Sequence, residues 1–341
     1  MPAVLAALLL FAVLASASTG SVPLGLPDAT RLVLGHLLPG MPWMTDGSYT
    51  VLQDQAVWQF RVPRTLLAAI TGASLALAGA LMQAVVRNPL AEPYVLGVSA
   101  GAGVGAVLVV VGLGGAVGGP SLSTAAFTGA AVATAAVYLL ARKNGRIAPQ
   151  RLILAGVALG SLFSAVTSYL TLTTEAQNVF SVMFFLLGSV SAATMDSLLL
   201  PALALLLAVV VVSLNIRGVN AMLIGDEAAT SLGIPVDRLR TVLLLVSALL
   251  VGAVVSVSGS IGFVGLIIPH IARIVVGTDH RIMLPVCVLG GALFLASADL
   301  LSRTIAAPTE IPIGILTAVV GAPFFLWIMR RDRASVAGMD R

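Results

Sequence analysis

Uninterrupted apolar runs decide what this chain can fold into. Leu198–Leu214 and Thr241–Val257 contain no charged residue, and runs of similar length recur along the sequence. A hydrocarbon layer about 30 Å thick takes roughly 20 apolar residues of helix. Inside it every backbone N–H and C=O must be satisfied without water, so helices are the default span. A lipid-facing barrel would instead show alternating segments of about ten residues. Of the 341 residues, 59% are hydrophobic and 9% charged, with a mean hydropathy of +1.07. Soluble domains carry about 25% charged residues. The expected fold is all-α and polytopic, a single transmembrane domain over residues 1–341.

Ten spans are expected, at roughly 2–19, 62–85, 96–115, 122–141, 152–172, 197–215, 241–258, 261–278, 283–302 and 313–330. The first resembles a secretory signal peptide, with a small-residue end at Ala15–Ser18, but lacks a basic leading segment and is read as a retained span, with basic residues upstream allowed for. If it runs outward, 14 of the 18 Lys and Arg fall on the cytoplasmic side, leaving Arg31, Arg61, Arg64 and Arg303 outside. Such asymmetry predicts both termini inside. It also accounts for the pI near 9.8 without any nucleic acid.

Few residues suggest chemistry. There is no Walker A motif, no His-Glu-x-x-His and no nucleophile elbow. His36, His270 and His280 are far apart, and the single Cys287 lies in an apolar run, so no metal ligand set or internal disulfide is expected. Gly101–Gly105 and Gly156–Gly160 have the spacing of close helix packing. Arg61, Arg64 and Arg303 lie at outer span ends, where they read either as interfacial anchors or as fixed cations facing a partner. Glu310 offers Arg303 a local partner. Asp299, one turn from the interface, is the one candidate for a proton relay. Pro89, Pro93, Pro269 and Pro323 break or kink spans, as pathway-lining helices of transporters often are.

The cytoplasmic stretch 216–240 contains Gly225-Asp-Glu-Ala-Ala-Thr-Ser-Leu-Gly-Ile234. Asp226 and Glu227 suit the first turn of a short helix, Gly233 its stop, and Pro235 cannot continue it. The segment is either a docking knob for a soluble partner or a plain connector.

Four ordered blocks together resemble one family. They are Arg61-Val-Pro-Arg64 with Gly72, Gly79, Gln83, Arg87-Asn-Pro-Leu-Ala-Glu-Pro93 and Leu96–Ala102; Gly225–Ile234; Gly259–His270 with Arg273 and Thr278–Arg281; and Glu310–Gly314 with Gly321-Ala-Pro323. Over about residues 58–331 the chain is similar to FecCD-type permease subunits of type II ABC importers, the iron–siderophore, haem and vitamin B12 group.

The resemblance implies ten transmembrane helices per subunit, with spans 2–5 and 7–10 related by an inverted pseudo-two-fold axis. It implies a homodimer or a dimer with a close relative, two cytoplasmic ATPase subunits that hold the ATP and Mg, and an extracytoplasmic solute-binding protein. The chain itself would bind no cofactor or metal, and would be a transport subunit of the cytoplasmic membrane rather than an enzyme. By position, Arg61, Arg64 and Arg303 would meet acids on the binding protein. Asp226, Glu227, Ala228, Ala229, Thr230, Ser231, Leu232, Gly233 and Ile234 would form the ATPase coupling helix. Asn88 and Leu90 would form the inner gate, while Ala148-Pro-Gln150 departs from the family's second gate and is left unassigned. The expected cargo is a ferric siderophore, with haem or cobalamin as the alternative. A proton-coupled secondary transporter is the rival from another class.

Overall fold

The computed structural model describes residues 1–112, 120–143 and 146–337. The outer end of the third expected span and Arg341 lie outside them. The helices run α1 (Pro2–Ser18), α2 (Leu26–Leu37), α3 (Val51–Gln55), α4 (Val62–Val86), α5 (Val98–Gly112), α6 (Pro120–Ala141), α7 (Pro149–Leu172), α8 (Ala176–Leu187), α9 (Leu199–Leu214), α10 (Ile216–Met222), α11 (Asp226–Ser231), α12 (Val236–Ser258), α13 (Val264–Val276), α14 (His280–Thr304) and α15 (Ile313–Ala337). A two-residue ribbon, Arg142–Lys143 against Arg146–Ile147, links α6 to α7.

Among the described residues, six helices are long and apolar enough to cross a membrane, and five apolar helices are shorter. Each expected span coincides with one of these eleven. The extra one is α8, where no span was expected; its apolar stretch is only about half a bilayer long.

Helix α4 is the axis of the bundle. Nearly all its residues are buried, from Val62 to Val85. Lipid gives helices no hydrophobic reason to associate, so close contact must hold them. The glycines supply it: a Cβ on Gly72 would lie 2.0 Å from the Gly291 carbonyl oxygen of α14, and one on Gly79 only 1.9 Å from that of Gly265 in α13. The predicted Gly101–Gly105 pair works the same way between α5 and α6, facing the Gly129 and Ala125 carbonyls. Gly160 does not; nothing lies within 4 Å of the space beside it.

Two helix interruptions meet near the level of Gly79. Helix α12 ends at Ser258, and α13 begins only at Val264 after Phe263 in a left-handed conformation (φ 68°). With 13 residues, α13 is about 20 Å long, too short to span alone. Opposite it, a 3₁₀ turn at Pro93–Leu96 precedes α5. Side chains satisfy the irregular backbone where water cannot. The Tyr94 hydroxyl donates to the Ile261 carbonyl (2.7 Å) and accepts from its N–H (2.9 Å), while Glu92 accepts from the Phe263 N–H (2.8 Å). Pro269 cannot donate to the Gly265 carbonyl one turn earlier; the Gln83 amide of α4 donates there instead (3.2 Å).

Residues 20–60, which join the first two expected spans, form a cap. Ala29, Leu32, Val57 and Val62 make a small second core beneath it. The His36 ring stacks on Trp58 (4.3 Å between centroids) and bonds Asp54 at 2.6 Å.

Candidate functional site

The three arginines expected at the outer face do gather at one end of the bundle, but their charges are turned inward. The Arg64 Nε donates to Asp299 Oδ1 (2.8 Å), and its Nη1 donates to both Glu310 oxygens (2.8 and 2.9 Å). Arg303 lies 3.2 Å from Asp299 Oδ2, one helical turn away, and donates to the Ser16 hydroxyl. Arg61 donates to the carbonyls of Ala17 (2.9 Å), Ser18 and Val22 at the end of α1. Asp299 is fully buried, while Arg61 and Arg64 retain 6% and 8% of their accessible surface. The expected Glu310–Arg303 pair is corrected: Glu310 serves Arg64, which reaches it from α4. Asp299, the relay candidate, meets two guanidiniums, Arg64 from α4 and Arg303 one turn along its own helix. The Asp299–Arg303 spacing of four on one helix was a usable sequence signal; the Arg64 partners, more than 230 positions away, left none.

At the opposite end, residues 225–234 form the short helix read from the sequence. Gly225 precedes it at φ 131°. Its stop is a Schellman motif, with the Gly233 N–H to Thr230 O (2.9 Å) and the Ile234 N–H to Ala229 O (3.0 Å). Gly233 takes φ 81°. Ala229 is buried against the bundle, while Glu227, Ser231 and Leu232 face out. Ile224 (71% exposed) and Leu232 (66%) put apolar side chains on this surface, which a polar environment alone would not favour.

Beside this helix, Arg87 closes α4 in the left-handed region (φ 53°), and the exposed Asn88 and Leu90 follow. The Leu90 N–H donates to the Asn88 side chain (2.9 Å), closing a tight turn. Asn220 of α10 donates to Asp279 (2.7 Å) and accepts from the His280 N–H (2.9 Å). The Arg281 N–H, then the Asn220 amide, hold the Asp279 carboxyl below its usual range. Sequence reasoning missed these contacts because Asn220 belongs to no motif and its partners lie about 60 positions away.

Between the ends, the helix breaks open onto a cleft of about 400 Å³ lined by the hydroxyl-bearing Tyr94, Ser99, Ser164, Thr167, Ser168 and Ser260 together with Gly97, Ala100, Gly103, Gly160 and Leu186. It carries no charged side chain, so it can offer hydrogen bonds in both directions without the penalty or grip of a buried ion. Among the described residues, no three His, Cys, Asp or Glu groups converge on a metal position.

Interrupted helices thus meet at a cleft with no charged residue in its lining, and a capped surface helix stands at one end of the bundle. The FecCD transport family profile matches residues 8–331, and the chain belongs to that family. It is a multi-pass permease of the ABC importer class, and the match extends past the expected start near residue 58 to take in most of α1. The chain is 39% identical to the cobalamin import system permease BtuC of Halobacterium salinarum, over 91% of this chain and 85% of that one. It is 37% identical to the hemin transport permease HmuU of Yersinia pestis, over 90% and 98%. A solved metal-chelate type ABC transporter in an inward-facing conformation superposes on 97% of this chain and 98% of its own, with a TM-score of 0.82 and 32% identity.

Proposed function

We propose that this chain forms half of the passage through which a large metal chelate enters the cell, driven by a separate ATPase and delivered by a solute-binding protein. The observation that carries the reading is the pairing of the hydroxyl-bearing cleft with the exposed helix α11. The cleft suits a bulky cargo that must pass without being held, and α11 offers an ATPase a rigid handle. Alternating access then moves helices as rigid bodies.

In this reading two copies of the chain pair across the passage, with both termini in the cytoplasm. The binding protein docks at the end bearing Arg61, Arg64 and Arg303. Since these guanidiniums are embedded, they serve docking by fixing the loops around Ser18–Val22 and Glu310 on which a partner would sit. Asn88 and Leu90 gate the cytoplasmic exit.

Relatives named for cobalamin and for hemin favour a metal tetrapyrrole as cargo. The ferric siderophore expected from the sequence is the second reading, favoured by the likeness to a metal-chelate type transporter. The test is accumulation of labelled cobalamin, hemin and ferric siderophore in cells with and without the chain. Loss of one uptake on deletion, restored by complementation, assigns the cargo. Unchanged uptake of all three in an importer-poor strain removes the chelate reading.

A further inference from the structure

We propose that Asp226 is a latch between the coupling helix and the gate loop, made in this conformation and released when α11 is displaced. The inference rests on the importer reading above.

Asp226 stands at the first position of α11 and serves two cations. Both its oxygens accept from Arg240 Nη2, at 3.1 and 3.2 Å, and Oδ1 also accepts from Arg87 Nη2. The two halves differ. Arg240, at the foot of α12, is 5% exposed, and its Nε has no hydrogen-bond partner among the described residues. Losing Asp226 would strand a buried charge there. Arg87 and Asp226 have side chains 40% and 45% exposed. An ion pair that wet is weak and opens readily, since water takes over both charges. Asp226 keeps Arg240 when it opens, so release leaves no buried ion bare.

What Arg87 holds makes the contact more than a surface pair. It is the left-handed residue ending α4, and the next N–H, of Asn88, also bonds back to Gln83 (3.2 Å). The Ala91 N–H bonds Asn88 O (3.0 Å), and the Leu90 N–H bonds the Asn88 side chain. Residues 87–91 are therefore one compact turn, and a pull on Arg87 is a pull on Asn88 and Leu90. Asp226 and Arg87 are positioning residues that tie the partner's motion to the gate.

The test uses the full complex with its ATPase in proteoliposomes, carrying Leu90→Cys in a Cys287→Ser background. Labelling of Cys at position 90 by a water-soluble maleimide is timed with and without vanadate-trapped ATP, a readout independent of cargo. The parent should change its labelling rate at least fivefold with nucleotide. Arg87→Gln, which leaves the Asp226–Arg240 half intact, should reduce that change below twofold while ATP hydrolysis continues. Asp226→Asn, which also strands Arg240, should lower the change at least as far, and Asp226→Glu should restore most of it. If Arg87→Gln keeps the full change, the latch is overturned and the importer reading stands. If the parent itself binds no ATPase and shows no change with nucleotide, the importer reading fails and takes the latch with it.

Discussion

A guanidinium inside a helical bundle needs acceptors on nearly every side, and the outer cluster shows where this chain finds them. Three cations meet two carboxylates and a fringe of α1 carbonyls. Asp299 is the shared centre. Asp299→Leu strips Arg64 and Arg303 of their common anion in a buried site, which costs about 3–5 kcal/mol. It should lower the thermal midpoint in detergent by several degrees, whereas Glu310→Gln, at a side chain 39% exposed, should lower it far less. Equal midpoints for the two variants would mean that the cluster is not a stabilising core. The sequence showed that these arginines stood at span ends but not that they faced inward. A charge at a helix end can snorkel or be embedded, and only the partners from other helices decide which.

Elements here are defined by how closely they can approach. Gly79→Ala places a methyl into the Gly265 backbone, so α4 and α13 must part and the yield of folded permease should fall sharply in size-exclusion chromatography. Gly160→Ala, with open space beside it, should leave that elution unchanged; a matching loss there would undo the argument. Helix α11 was the most legible element, because Gly225, the Asp-Glu pair, Gly233 and Pro235 each carry a local rule. The proposed docking of an ATPase on α11 is also testable: Leu232→Asp should abolish co-purification of the ATPase without changing the permease's own melting. The breaks were half legible. Pro93 and Pro269 announced irregular backbone, but the Gln83 amide that answers Pro269, and Tyr94 and Glu92 that hold the facing loop, are contacts across about 170 to 180 positions. No local pattern encodes those. Helix α8 was missed for the opposite reason: span length was the criterion, and α8 is shorter than a span.

At the scale of the whole molecule, apolar runs and the Lys/Arg distribution settled class and expected orientation before any contact was known. The orientation has its own check. Single cysteines at exposed Thr45, in the cap, and Arg238, beside α11, should react with a membrane-impermeant maleimide from opposite sides of intact spheroplasts, Thr45→Cys from outside and Arg238→Cys only after lysis. The reverse pattern would invert the topology. Family membership was legible because three of its four blocks fall on tight contacts and breaks and the fourth on α11; cargo was not, because the cleft's hydroxyls favour no single chelate.

The glycine contacts on both sides of α4 have a further meaning. Fastened to α13 and α14 where side chains cannot intrude, α4 has no room to drift, and a new side chain there would have to displace another backbone. Helix α7 is mostly exposed in the single chain and borders the cleft along one flank. Change is therefore cheap on one side of the molecule and nearly forbidden at its axis. A chain built this way can acquire a different cargo by altering one wall while its frame stays fixed.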